Sequence, residues 1–163
     1  MDVVIRDYRQ EDYDFLVQCM EGIQGHIAAI DFLQRSKRVP DFSAKKWVDH
    51  TIERVKKNDG TVFIAEYEKK SVGCVAGIIK VSTEEDLLDV FPFKDGRIIE
   101  LFVDPSYRQK NIGFLLVGRM ESYFRGKGCT VSELGCLAGN TGAYKLYKKH
   151  GYVDNNIEMV KKL

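Results

Sequence analysis

Between Arg97 and Phe124 the chain changes its period once, and abruptly. Arg97-Ile98-Ile99-Glu100-Leu101-Phe102-Val103 is rich in β-branched and aromatic residues and is closed by Pro105. A short polar turn follows. From Gly113 to Phe124 the apolar residues Leu116, Val117, Met120 and Phe124 then fall on one helical face. A strand that hands over so directly to an amphipathic helix needs a sheet for the helix stripe to cover, so the chain is bound to a layered α/β or α+β architecture.

The remaining segments fit that frame. Val3 to Arg6 reads as a short strand, and residues 11 to 23 as a helix with Phe15, Leu16, Cys19, Met20 and Ile23 on one face, weakened at its end by Gly22 and Gly25. Residues 24 to 42 are ambiguous, with a second helical piece from His26 to Leu33 and a break at Pro40-Asp41. Ser43 is a good N-cap for a helix over 44–57, where Trp47, Val48, Thr51, Ile52 and Val55 recur at helical spacing. Thr61–Tyr67 and Val72–Val81 form a hairpin around Glu68-Lys69-Lys70, and residues 82 to 96 read as an acidic loop. After the 113–124 helix, Gly126 and Gly128 act as breakers, and Thr130–Leu137 is a strand. Asn140–His150 is a helix with Ala143, Leu146 and Tyr147 inward and Gly151 past its end. A last strand is expected around Tyr152 and Ile157 to Val160.

At 163 residues this is one domain over 1–163, with a mixed sheet flanked by helices. A formal net charge of +1 gives no whole-chain attraction to nucleic acid or an anionic membrane. The opening Met1-Asp2-Val3 lacks the form of a secretory signal, and no apolar run approaches the roughly 20 residues of a membrane span, so the expected compartment is the cytoplasm. Cys19, Cys74, Cys129 and Cys136 fit no zinc spacing, and no metal site is expected; as reduced thiols they read as buried structural residues, with Cys19, Cys74 and Cys136 in apolar-rich segments. The pairs Lys45-Lys46, Lys56-Lys57 and Lys148-Lys149 read as solvated helix faces.

The turn itself carries chemistry. The start of a helix exposes backbone N–H groups without partners and bears partial positive charge, which makes it an anion site. Arg108 and Lys110 add two cations, and Gly113 removes a side chain where a backbone must come close to a ligand. On physical grounds alone, a phosphate site and an ordinary basic turn are equally good readings.

The stretch Val103-x-Pro105-x-Tyr107-Arg108-x-x-Asn111-x-Gly113 resembles the acetyl-CoA signature of the GCN5-related N-acetyltransferase (GNAT) superfamily, V-x-P-x-Y-R-x-x-G-x-G. Downstream, Asn140, Ala143, Tyr147 and Gly151-Tyr152 match a second element of that superfamily in the right order. The element order agrees over nearly the whole chain, and the one departure is Asn111 at the first glycine. If that position needs positive φ, Asn is the best substitute; if it needs no side chain beside the pyrophosphate, binding is weakened.

The resemblance implies a GNAT-like fold with splayed parallel central strands. It implies that backbone groups of Leu101, Phe102 and Val103 pair with the pantetheine arm of acetyl-CoA. Arg108, Gln109, Lys110, Asn111, Ile112, Gly113 and Phe114 would hold the pyrophosphate, and Asn140 and Ala143 would border the cofactor. An amine would attack the acetyl thioester directly, with a strand backbone N–H meeting the oxyanion and Tyr147 giving a proton to the departing thiolate. Glu100 is the candidate base; alternation puts it on the face of Ile98 and Phe102, opposite Ile99, Leu101 and Val103. A structural pairing of Glu100 with an arginine such as Arg97 is the competing assignment, and His26 and Glu133 are weaker candidates for the base.

The expected partners are acetyl-CoA and a small cationic amine. The alternatives are a protein N-terminus or lysine, and a silent acyl-CoA-binding domain. The acidic run Glu84-Glu85-Asp86…Asp89 either lines the acceptor cleft or is a solvated loop. A nucleotide-binding module is disfavoured because neither G-x-x-x-x-G-K-[ST] nor G-x-G-x-x-G occurs. The resemblance leaves a homodimer open.

Overall fold

The computed structural model describes residues 3–38 and 41–163. Met1, Asp2 and Pro40, which entered the reading of the N-terminus and of the break before the second helix, lie outside the described residues. In chain order the elements are β1 Val3–Asp7, α1 Tyr13–Ile30, α2 Ala44–Lys57, β2 Thr61–Tyr67, β3 Lys70–Val81, β4 Lys94–Val103, α3 Ile112–Gly126, β5 Val131–Glu133 and α4 Thr141–Lys149, with short 3-10 turns at Gln10–Asp12, Asp86–Leu88 and Pro105–Tyr107. The strands form one sheet in the order β1-β2-β3-β4-β5, antiparallel throughout except for the parallel pair β4–β5. The mixed, mostly antiparallel sheet is the one expected.

Each face of the sheet has its own helices because the strands alternate. Phe63, Ala65, Val75, Ile98, Leu116, Val117, Met120, Phe124 and Tyr147 form one buried cluster under α3 and α4. Leu16, Cys19, Met20, Val48, Val55, Ile64 and Cys74 form the other under α1 and α2. Ser43 accepts from the Lys46 amide and caps α2, and Gly128 and Gly151 take positive φ after α3 and α4, all as the sequence suggests.

Four expectations are corrected. The helix at 11–23 does not end near Gly22 and Gly25 but runs unbroken to Ile30, so that His26 lies inside α1 rather than in a separate piece. Gly22 is there for contact, since a Cβ would stand 2.4 Å from the Phe102 ring. The strand set at 130–137 is cut to Val131–Glu133, because β5 pairs with β4 only from Asp95↔Val131 to Arg97↔Glu133 before the two part. No strand forms at Tyr152 or at Ile157–Val160. An alternating apolar pattern needs a neighbouring edge, and this segment finds none among the described residues: the Tyr152 hydroxyl is tied to Ser132 at 2.6 Å, while Ile157 and Met159 stay 78% and 89% exposed. Lastly, Cys19, Cys74 and Cys129 are buried, but Cys136 is exposed, because it lies beyond the end of β5.

The entry to α1 is fixed by a buried ion pair. Both Asp12 carboxylate oxygens accept from the Arg6 guanidinium, at 2.7 and 2.8 Å, and one also accepts from the Arg9 amide at 2.8 Å. Arg6 reaches Glu66 as well, at 2.9 Å, so one side chain joins β1, β2 and the start of α1.

Candidate functional site

The site begins where β4 loses its neighbour. Beyond Arg97 no strand pairs with β4 on the β5 side among the described residues. On its other side Leu101, Phe102 and Val103 remain opposite Val75, Cys74 and Gly73 of β3. An unpaired strand edge presents a row of backbone donors and acceptors that an extended ligand carrying amides can join as an added strand. Val103 is partly engaged already, since its carbonyl accepts from Arg108 Nε at 3.3 Å.

A bulge decides which way Glu100 faces. Ala76 stands opposite Glu100 but Gly77 stands opposite Ile98, so Ile99 is an extra residue in β4. Ile98 therefore joins Leu101 and Val103 on the α3 face, while Ile99 and Phe102 pack on the α1–α2 face, where Ala76 also lies. Strict alternation grouped Glu100 with both Ile98 and Phe102. The structure keeps Phe102 and replaces Ile98 with Ile99, because one unpaired residue inverts the alternation upstream of it.

The turn after β4 closes over the end of that edge. Asp104 accepts from the Ser106 amide at 2.8 Å, and the 3-10 turn Pro105–Tyr107 leads into Arg108. Gln109 and Asn111 both take φ +63°, and Asn111 is the N-cap of α3. The left-handed conformation is the one that Asn tolerates best after glycine, which accounts for Asn111. The helical ladder opens with Leu115 N–H donating to Asn111 at 3.1 Å, so the N–H groups of Ile112, Gly113 and Phe114 precede it and face out of the helix start.

Gly113 also faces α4. A Cβ there would meet Leu146 Cδ2 at 3.1 Å, so a larger residue asks that leucine of α4 to give by a few tenths of an ångström. The cations lean on the protein: Arg108 on Val103 and Lys110 over the Tyr67 ring at 5.3 Å. Phe114 stacks on His150 with ring centroids 3.8 Å apart. Replacing Asn111 with valine, which resists positive φ, is expected to cost about 1–3 kcal/mol in urea unfolding, whereas Asn111→Gly stays within about 1 kcal/mol of the parent. Equal losses for the two variants would show that backbone conformation is not what Asn111 provides.

Across the gap lies α4. The Asn140 side-chain oxygen caps it by accepting from the Ala143 amide at 3.2 Å, and the same oxygen lies 3.3 Å from His26 Nε2. This places His26 at the start of α4. Tyr147 is 8% exposed and edge-on to Tyr152. Burial pushes its hydroxyl up to about 12, with smaller contributions from Cys136, Tyr152 and Glu100. Glu100, far away in sequence, is the smallest of these influences on the Tyr147 hydroxyl.

Glu100 is half-buried, and its carboxyl is raised above the usual range by desolvation, opposed by a hydrogen bond from Trp47 and by the charge of Arg54. Its partner is Trp47, whose indole Nε1 donates to Oε1 at 2.9 Å. Arg97, the structural partner suggested by sequence, turns instead to Glu133 at 3.5 Å, and Lys80 takes the same Glu133 oxygen at 2.6 Å. Glu133 is thereby held in ion pairs. Trp47 is the residue that the sequence reading missed: it was counted in the buried face of α2, yet it is 43% exposed. Within the acidic loop Asp86 accepts from the Thr83 amide and hydroxyl at 2.8 and 2.9 Å. Among the described residues no group of three or more His, Cys, Asp or Glu side chains could hold a metal ion, and no helix is long and apolar enough to cross a membrane.

Comparison with known proteins bears on this arrangement. Residues 26–152 match the profile of the acetyltransferase (GNAT) family. The chain is 27% identical over 117 residues to an uncharacterized N-acetyltransferase of Methanocaldococcus jannaschii, a match covering 71% of this chain and 50% of that one, so it aligns with only half of that curated relative's length. Among solved structures, a mutant of the BH1408 protein of Bacillus halodurans superposes with a TM-score of 0.84 at 19% identity, covering 98% of this chain and 99% of that one. AAC(6')-Iy, in complex with the bisubstrate analogue CoA-S-monomethyl-acetylneamine, superposes with a TM-score of 0.69 at 17% identity, over 100% of this chain and 99% of that one. At these identities the superpositions speak for the fold.

Proposed function

This chain belongs to the acetyltransferase (GNAT) family, and on that premise we propose that it transfers the acetyl group of acetyl-CoA to a primary amine, with a small cationic amine as acceptor. The observation that carries the reading is the unpaired edge of β4 running into the open start of α3 behind Asn111; Glu100 on that strand and Tyr147 on α4 supply the candidate base and acid. The neighbour bound to an analogue that joins CoA to acetylneamine supports both halves of the proposal.

The pantetheine arm adds to the β4 edge at Leu101, Phe102 and Val103, and the pyrophosphate meets the N–H groups of the 108–114 turn. Asn140 and Ala143 border the cofactor from α4. Glu100, directly or through a water, takes a proton from the ammonium, and its upward shift makes it a better base than an exposed carboxylate. The amine nitrogen attacks the thioester carbon, and a β4 backbone N–H meets the oxyanion. The C–S bond then breaks, and the thiolate takes the Tyr147 proton. The extra proton shed by the acylated nitrogen passes through water to restore the Tyr147 hydroxyl, and Glu100 gives its proton to solvent. A hydroxyl near 12 keeps its proton throughout the neutral range, as a donor must. The burial that raises it raises the basicity of a thiolate beside it too, so the transfer stays close to balanced. A half-buried carboxylate beside an exposed aromatic ring favours a cationic acceptor.

Saturating acetyl-CoA is expected to raise the melting temperature by several degrees, while ATP and NAD leave it unchanged; binding at one hundred times Kd adds about 2.7 kcal/mol. An absent shift with acetyl-CoA would sink the cofactor reading. A free-thiol assay over small amines, peptides and protein N-termini tests the acceptor: turnover confined to peptides or N-termini removes the small amine, and binding without turnover on any of them removes the reaction.

A further inference from the structure

We propose that Trp47 is a positioning residue for the transfer reaction, its indole N–H fixing the Glu100 carboxylate in the cleft through Oε1 so that Oε2 is left to meet the acceptor amine. This rests on the reading of Glu100 as the base and extends it to a residue on a different element.

Four observations carry it. The contact is a well-formed hydrogen bond of 2.9 Å between residues 53 positions apart, and it spans α2 and β4. The indole N–H is a donor with no acceptor function and no titration, so it orders the carboxylate without neutralising it. A lysine or arginine in that place would form an ion pair and suppress the basicity that burial confers. The ring itself is held: Trp47 lies 6.2 Å from Phe42 and 5.9 Å from His50 between ring centroids, in the first turns of a helix capped by Ser43. Finally, Trp47 is 43% exposed, and packing alone gives no account of so large a side chain in that position. A glutamate on a strand has three side-chain torsions to fix, and a single well-placed donor removes most of that freedom. The charged group that acts on Glu100 is Arg54 of α2; Glu100 in turn acts weakly on Tyr147 of α4, and His50 lies 5.9 Å from the indole between ring centroids.

Trp47 is the single tryptophan of the chain, so its fluorescence reports the contact directly. In the full-length protein, emission is expected to titrate in step with Glu100, at a pH above the ordinary carboxylate range, and the step is expected to vanish in Glu100→Gln. An emission curve that is flat there, or unchanged in Glu100→Gln, overturns the proposal without any substrate.

The role in turnover is tested by a double-mutant cycle on the best acceptor amine. Trp47→Phe keeps an aromatic ring and loses the N–H, and it is expected to lower kcat about ten-fold, the scale of a hydrogen bond to a charged group, with KM for acetyl-CoA unchanged. Because the lost hydrogen bond had favoured the ionised carboxylate, the acid limb of kcat/KM moves to higher pH. In a Glu100→Gln background the same substitution is expected to have no further effect, and Trp47→His, which keeps a ring N–H, to recover part of the loss. An equal ten-fold loss in the Glu100→Gln background, or an unmoved acid limb, overturns the role of Trp47 and leaves Glu100 as the base. If Glu100→Gln turns over like the parent, the base assignment falls and the proposal falls with it.

Discussion

Replacing Tyr147 with phenylalanine is expected to lower kcat by roughly a hundred-fold or more, the usual contribution of a positioned general acid, while leaving the affinity for acetyl-CoA almost unchanged. The two effects separate because the hydroxyl and the ring do different things. The ring belongs to the buried cluster under α3 and α4 and is edge-on to Tyr152, and phenylalanine keeps both relations. Only the oxygen is lost, and no hydrogen bond of the fold goes with it among the described residues. Steady-state kinetics with a thiol readout, set beside calorimetric titration of acetyl-CoA, measures both quantities. Unchanged turnover would remove Tyr147 as the proton donor, and a matching loss of affinity would make it a cofactor contact instead.

The largest effect on stability is expected at Asp12. Its carboxylate is almost fully buried and accepts two charge-assisted bonds from Arg6 and one from the Arg9 amide. Removing one member of such a buried pair strands the other, and Asp12→Ala is expected to cost about 3 kcal/mol, the low end of the range because Glu66 still holds Arg6. For a chain of this size that lowers Tm by roughly 6–12 °C. The bond from Arg6, more than any other cause, holds the Asp12 carboxyl below its ordinary value of 3.8, against an opposing contribution from burial. A depressed folded value means that the unfolded chain takes up the proton first on acidification. The contribution is therefore complete above about pH 5 and is lost progressively as pH falls through the ordinary value to the folded one. Urea unfolding of parent and variant should converge as the pH drops through that window. A gap that stays constant down to pH 3 would assign the cost to packing and not to the ion pair.

How much of this could be read from the residues varies with the kind of interaction. Helices α2 and α3 were legible because their apolar stripes are clear, and the turn between β4 and α3 was legible because Pro105, Asn111 and Gly113 mark a strand end and a helix start. The length of α1 was hidden, since Gly22 looks like a breaker until the Phe102 ring that needs its space is known. The last strand was misread for a related reason: Ile157 and Met159 alternate properly, but alternation describes one strand and says nothing of the edge it must join. Tyr147 was nominated through the family motif and Glu100 through its place on the strand before it, whereas Trp47 was not nominated at all. Nothing local to α2 distinguishes a tryptophan aimed at the core from one whose N–H reaches a carboxylate on β4. Even the face of Glu100 depended on a single extra residue that leaves no local mark in the sequence.

That extra residue at position 99 also bears on how such a gene can change. Losing the codon for Ile99 would remove the bulge, restore regular pleating, and turn either the Glu100 end or the Ile98 end of β4 over. One outcome drives a carboxylate into the cluster under α3, and the other swings the Gly96–Phe124 contact away from its helix. A substitution at Ile99 alters only one side chain packed on the α1–α2 face. In this strand, then, spelling is negotiable and letter count is not: descendants can drift in what stands at position 99 far more freely than in whether anything stands there.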